Sequence, residues 1–262
     1  MNNIKILTIN THSIIEPDYE EKLDYFVGEI AKNPPDIIAM QEVNQTASSR
    51  LASEVYGFMP CISRMIREDN HALRVAGKLC EKGVDYHWTW VPVKLGYGKF
   101  EEGLAFLSRY PLIGTYTSYI STTHEYSNWK TRRMLGIFTE KGDFYNVHMG
   151  WWNDEEEPFI GQWERVNRYI SGAAWLMGDF NSPDDVRGEG YDAVIEGGWK
   201  DLCRTGHTVA KKIDGWEEDR RQRLDYIFSN FDARIISSKT VFDGVNGKEI
   251  SDHFGVLAQV SD

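Results

Sequence analysis

The sequence predicts an α/β protein built as a layered sandwich, with two stacked sheets and helices packed on the outside. Three observations lead there. Strand-like segments rich in β-branched and aromatic residues outnumber helix-like ones, and many are joined by hairpins. The opening strand, helix, strand pattern implies a right-handed crossover and two neighbouring strands in one sheet. The 262 residues are 41% hydrophobic and 13% aromatic, with no linker, repeat or low-complexity tract. That is enough for one large core, and a single domain over 1–262 is expected.

The elements follow in chain order. "IKILTIN" (4–10) is a short buried strand ending at Asn10. After Pro17, Leu23, Phe26, Val27 and Ile30 recur at i, i+3, i+4 and i+7, the period of an amphipathic helix. "PPDIIAMQE" then gives a strand from Asp36 to Met40 that ends at Gln41-Glu42. Strand, helix, strand implies a crossover between parallel neighbours, which places Asn10 and Glu42 at one end of a sheet. Residues 44–56 and 70–82 read as helices, and 86–95 and 103–121 as strands. "RMLGIFTEKGDFYNVHM" is a hairpin around Lys141-Gly142-Asp143, with His148 near its end. A helix around 155–172 carries Phe159, Trp163, Val166 and Ile170 on one face. Then come the strand into "GDFN", a loop-rich stretch to about 222, the strand "RLDYIFSN", and two strands near 233–242 and 254–260.

Charge excludes some functions. Lys and Arg total 29 against 40 Asp and Glu, a net charge of −11, which argues against a long nucleic-acid substrate. A local basic groove remains open around "KTRRM" (130–134). No run of about 20 apolar residues suggests a membrane span. "MNNIKILTIN" does not read as a signal peptide, so a cytoplasmic protein is expected. Cys61, Cys80 and Cys203 are odd in number and widely spaced, as free thiols in a reducing compartment would be. No obligate protein partner is evident.

The chemistry collects at strand ends. In "WLMGDFNSP" (175–183) an apolar strand closes on Asp179 and Asn181, two residues apart and so pointing the same way. Asn10, Glu42, His148, Asp225, Asp252 and His253 likewise interrupt apolar strand ends. Each alone is a common turn former or structural residue. Together they offer oxygen ligands suited to Mg²⁺ or Mn²⁺, notably Glu42 and Asp252, and two imidazoles for proton handling. Cysteine pairs and an H-E-x-x-H motif are missing, which argues against zinc.

"LTIN", "MQEV", "GLAFLSRYPL", "NVHMG", "GDFNSP", "RLDYIF" and "SDHFG" resemble, in order and spacing, the motifs of the endonuclease/exonuclease/phosphatase superfamily. They run from Asn10 to His253, nearly the whole chain. The resemblance implies a four-layered α-β-β-α sandwich, two stacked mixed β-sheets flanked by helices, and metal-dependent hydrolysis of a phosphoester. It implies that Glu42 holds the metal with Asp252 and Asn10 near or in its shell. Asp179 would prepare the attacking water, while Asn181 and Asn10 hold phosphate oxygens. His253, paired with Asp225, would stabilise the phosphoryl charge, and His148 would face the phosphate as a donor to the leaving alkoxide.

Substrate choice lies outside this core. Trp151 and Trp152 follow His148 directly and, being adjacent, cannot both bury in the same direction. Their flat faces suit stacking on a sugar ring, or simple lining of the cleft. "HMGWWNDEEEPFIGQW" resembles the bacterial maltose 6'-phosphate phosphatases of the superfamily, cytoplasmic enzymes that dephosphorylate an imported sugar. A small phosphorylated sugar is therefore the expected substrate, with Arg133 and Tyr97 as further candidates for binding it. Trp163 fits the core. The alternative is an endonuclease or other phosphodiesterase of the same fold, for which Lys130, Arg132, Arg133 and the "DRRQR" run (219–223) would be the DNA-contacting residues. A non-catalytic binding module would have lost acidic and imidazole groups that are all present here.

Overall fold

A computed structural model describes residues 3–62, 65–203, 206–209 and 222–261. β1 (Asn3–Asn10), α1 (Tyr19–Lys32) and β2 (Ile37–Thr46) form the expected strand–helix–strand unit. β1 and β2 pair in parallel, with Asn10 beside Gln41. Leu23, Phe26, Val27 and Ile30 are the buried stripe of α1, each worth about 1.5–3 kcal/mol of burial. α2 (His71–Glu81) follows, its first turn capped by the Asn70 side chain accepting from the Leu73 amide at 3.1 Å. β3 (His87–Gly96), β4 (Phe100–Ser108), β5 (Gly114–Tyr119), β6 (Arg133–Thr139) and β7 (Gly142–His148) come next. α3 (Phe159–Tyr169), β8 (Ala174–Asp179), α4 (Gly190–Glu196), β9 (Lys200–Asp201), β10 (Asp225–Ser229), β11 (Arg234–Val241) and β12 (Gly255–Ser261) complete the chain.

The strands form two six-stranded mixed sheets, in the orders β11-β12-β1-β2-β4-β3 and β5-β6-β7-β8-β10-β9. Ile6, Ile37, Ala39, Phe106, Leu135, Phe144, Met177 and Ile227 fill one cluster that draws on both sheets. α1 and α2 seal the outer face of the first sheet, and α3 and α4 that of the second, through two further clusters. This is the expected four-layered arrangement. Trp163, Trp88 and Trp90 lie in the core, and all three cysteines are free. No helix of the described residues is long and apolar enough to cross a membrane.

Two expectations fail. Residues 44–56 are not a helix: β2 continues to Thr46, with Asn44, Gln45 and Thr46 paired to Glu102, Glu101 and Phe100 of β4. The chain beyond it is turns, tied back by a bridge between Leu51 and Arg67. The long stretch after "GDFN" also contains α4 and β9, which the sequence reading leaves as loop. α4 buries Tyr191 and Val194 against the second sheet.

Candidate active site

The register of three adjacent strands builds the site. In the parallel pair β7/β8, His148 lies beside Asp179; in the antiparallel pair β8/β10, Asp179 lies beside Asp225. Gly178, one residue before Asp179, has φ 142°, and a Cβ there would sit 1.9 Å from the Val147 carbonyl oxygen. Only glycine lets β8 approach β7 this closely. From the other sheet, β2 carries a bulge between Met40 and Val43, and Glu42 takes φ 50°. Bulges re-aim side chains; here the Glu42 carbonyl is held by Ser13 Oγ at 2.8 Å and Asn44 Nδ2 at 2.9 Å. Of the non-glycine residues with positive φ, Glu42, Tyr97 and Asn181 line the cleft. Such backbone persists where the surroundings hold it in place.

Asp179 is the hub. Its Oδ2 accepts from Asn10 Nδ2 at 3.1 Å and lies 3.6 Å from His148 Nε2 and 3.8 Å from His253 Nε2. Its Oδ1 accepts from the Asn181 amide at 2.9 Å. Asn10 Nδ2 also donates to Glu42 Oε1 at 2.9 Å, so one amide ties the two carboxylates together. The fully buried Asp225 places Oδ2 at 2.9 Å from His253 Nδ1. Asn181 Nδ2 donates to the Met149 carbonyl at 2.9 Å, and the Asn181 carbonyl receives the Trp152 amide at 3.2 Å. The loop after His148 is thereby stitched to "GDFN".

Electrostatics push the two imidazoles apart. Burial, then Arg132 and Lys94, hold His148 well below the ordinary imidazole range. Burial also works to lower His253, but Asp225 and Asp179 overcome it and raise His253 well above that range. His253 is thus the protonated imidazole at neutral pH and His148 the neutral one. A neutral His148 still carries one N–H to donate, while His253 holds the additional proton. Burial raises the Asp179 carboxyl, against the pull of His253.

A divalent cation fits here. Glu42 is half-buried, receives a side-chain hydrogen bond from Asn10, and has no basic side chain within 4.0 Å among the described residues. Burial, with Glu102 next, holds its carboxyl above the usual range. A carboxylate left without a counter-charge, beside an amide and further acids, is a donor set for a hard cation. Asp252 lines the same cleft, and its carboxylate also groups with His12 and Glu16, their ligand atoms within 4.8 Å of one another. Asp179, Asp225 and His253 form a second such group.

The cleft has a volume of about 650 Å³, and its walls include Glu42, Asp179, Asn181, Asp252, His148 and His253. Trp151 lines it, together with Tyr97 (79% exposed) and Trp129 (57% exposed) at the rim. Trp152 does not: it lines a neighbouring pocket with Phe159 and Gly190, because successive residues face opposite ways. Arg133 also misses the cleft, its guanidinium lying 3.5 Å from the Tyr119 ring centroid. The cleft wall is built instead by Arg132, Lys94 and Glu102. Lys94 and Glu102 are register partners across β3/β4 and pair at 2.8 Å; Glu102 lies 4.0 Å from His148 Nδ1. A lysine and a glutamate equidistant from the hairpin turn between β3 and β4 are the signal that marks this pair in the sequence.

Of the basic residues considered for DNA, Lys130 and Arg223 are held in ion pairs. Lys130 pairs with Asp154 at 2.8 Å and Glu156 at 2.9 Å. Arg223 pairs with Asp201 at 2.7 Å and Asp184 at 2.8 Å. Asp219, Arg220 and Arg221 of the "DRRQR" run lie outside the described residues.

A fold of two stacked sheets whose strand ends converge on carboxylates, amides and imidazoles defines a phosphoester hydrolase. The chain belongs to the endonuclease/exonuclease/phosphatase family, whose model matches residues 7–253. An endonuclease/exonuclease/phosphatase family protein from Leptotrichia buccalis is similar at 31% identity and TM-score 0.85, covering 99% of this chain and 100% of that one. A mannosyl-6-phosphatase from Bacteroides thetaiotaomicron shares the fold at 15% identity and TM-score 0.61, covering 99% and 100%. A 3' phosphatase from Neisseria, bound to product DNA hairpin, does so at 17% identity and TM-score 0.65, covering 99% and 100%. Among curated proteins none matches this chain.

Proposed function

We propose that the protein is a single-domain, cytoplasmic, Mg²⁺- or Mn²⁺-dependent phosphatase that removes phosphate from a small phosphorylated sugar such as maltose 6'-phosphate, without an obligate protein partner. The observation that carries this reading is the cleft itself: about 650 Å³, with acidic groups and imidazoles inside and Trp151, Trp129 and Tyr97 at its walls. That size suits a small ligand, and the aromatic faces suit the C–H face of a sugar ring. The Bacteroides mannosyl-6-phosphatase, an enzyme named for a sugar phosphate, shares the fold. The net charge of −11 and the ion-paired Lys130 and Arg223 weigh against a long polynucleotide.

The residues divide the work as follows. Glu42, with Asp252 and Asn10, would hold the divalent ion, which neutralises phosphate charge and polarises the phosphorus centre. Asp179 orients the attacking water and takes its proton. Asn10, already bridging Glu42 and Asp179, and Asn181 hold phosphate oxygens in line. His253, kept protonated by Asp225, stabilises the phosphoryl oxygens and is placed to give the leaving alkoxide its proton. His148, supported by Glu102, faces the phosphate as a neutral donor. Trp151 offers its ring to the sugar.

Recombinant protein with Mg²⁺ is expected to release phosphate from maltose 6'-phosphate far faster than from simple aryl phosphates. Equal turnover, or none of the disaccharide phosphate, rejects the sugar assignment. Nicking of plasmid DNA at enzyme-like concentrations, falling steeply with salt, would put a phosphodiesterase in its place.

A further inference from the structure

Three lysine or arginine side chains are buried among the described residues: Lys94, Arg132 and Arg223. Lys94 is answered by Glu102, and Arg223 by Asp201 and Asp184. Arg132 differs. Only 4% of it is exposed, yet no carboxylate lies within 4.0 Å of its guanidinium among the described residues. Nη1 donates to the carbonyls of Trp129 at 2.7 Å and Thr131 at 3.2 Å, and the buried Nε has no hydrogen-bond partner. A guanidinium stays charged at any working pH; burial weighs against that charge, and Glu102, Asp179 and Glu42 attract it from a distance without pairing with it. The cost is met when an anion arrives. Arg132 stands in the cleft wall with His148 and Asp179, so the anion it awaits is the one that reacts there.

We infer that Arg132 is the seat of the second negative charge of a terminal phosphate, and that it makes the cleft select phosphate monoesters over diesters. A monoester carries about −1.5 to −2 charges at pH 7 and three free oxygens. A diester carries one charge and two free oxygens, with a second substituent where the third oxygen would be. The planar fork of a guanidinium is shaped to bind two oxygens of such a group. Lys94 and Glu102 beside it are already ion-paired, whereas the Arg132 guanidinium has no carboxylate within 4.0 Å among the described residues. The inference rests on the phosphatase reading and adds the chemical class of the group recognised, independent of the sugar.

The test uses the full chain with Mg²⁺, as wild type, Arg132→Met and Arg132→Lys. The substrates are p-nitrophenyl phosphate and bis(p-nitrophenyl) phosphate, and binding of inorganic phosphate and dimethyl phosphate is followed by calorimetry. In Arg132→Met, kcat/KM for the monoester and affinity for inorganic phosphate are expected to fall about 10- to 100-fold, the worth of a charge-assisted bidentate contact. The diester and dimethyl phosphate should change by less than about threefold, since they never met the full charge. Arg132→Lys keeps the buried charge and loses the fork, so it should show a smaller loss, again confined to the monoester. It carries the test if the methionine variant does not fold. Equal losses on both esters, or no loss, overturn the inference. Equal losses with maltose 6'-phosphate still hydrolysed would remove the inference and leave the sugar reading. Monoester-selective loss without turnover of that sugar would do the reverse.

Discussion

Asn146 sits in the middle of β7, fully buried, and clamps the two sheets together beneath the site. Its Nδ2 donates to the Met40 carbonyl at 2.9 Å and the Ala105 carbonyl at 3.0 Å. Its Oδ1 accepts from Gln41 Nε2 at 2.7 Å, which also donates to Thr8 Oγ1 at 3.0 Å. Met40 and Ala105 are register partners at the point where the β2 bulge begins, two residues before Glu42. Asn146→Leu keeps the shape and removes all three bonds. Two buried carbonyls lose a donor, at about 1–3 kcal/mol each, while Gln41 keeps Thr8. The leucine returns about 1–2 kcal/mol of apolar burial. The net is a loss centred on about 2.5 kcal/mol within a span of about 0–5, a large share of the 5–15 kcal/mol typical of a folded domain. Urea unfolding followed by tryptophan fluorescence measures it, with an unchanged m-value showing that the transition is the same one. A change below about 0.5 kcal/mol, the range of an ordinary surface substitution, would refute the clamp.

Two further outcomes follow from the geometry. Asp225→Asn removes the charge that holds His253 protonated and oriented; phosphate release should fall about 100- to 1000-fold, and the His253 titration seen by NMR should move to lower pH. An unchanged rate would mean that His253 needs no such support. Burial, with Arg74 next, pushes His71 down to about 3, so the folded chain keeps it neutral while the unfolded chain takes a proton near 6.5. Its stability contribution is whole above pH 6.5 and falls by up to about 1.4 kcal/mol per pH unit as pH drops toward 3. His71→Gln should remove that slope from the pH dependence of urea unfolding, and identical slopes in the two proteins would show that His71 takes its proton in the folded state.

Much of this site can be read from the strand ends. Asn10, Glu42, His148, Asp179, Asn181, Asp225, Asp252 and His253 all line the cleft or bond to residues that do. A strand end following an apolar run has one place to go, and the parallel β1/β2 pair fixes which end of the sheet it is. Parity is harder. Arg132 and Arg133 precede and open β6, and Trp151 and Trp152 share a turn; in each pair one residue reaches the cleft and the other does not. Composition cannot decide which, because a one-residue change of register reverses the answer. The run from Asn44 to Thr46 misleads for a related reason: its partners in β4 lie more than 50 residues away, and the ladder they offer outweighs local helical preference. The proton states of His148 and His253 depend on which charges stand beside each ring, a property of the assembled site alone.

The central claim is that this cleft hydrolyses a phosphate monoester with a divalent ion, through Asp179. Phosphate release from maltose 6'-phosphate, measured with Mg²⁺, with chelator, and in Asp179→Asn with Mg²⁺, tests it most directly. Release is expected with Mg²⁺ in the wild type, with its loss under chelator and a fall of at least about 1000-fold in the variant at unchanged fold. Release that survives chelation, or that Asp179→Asn leaves intact, would contradict it.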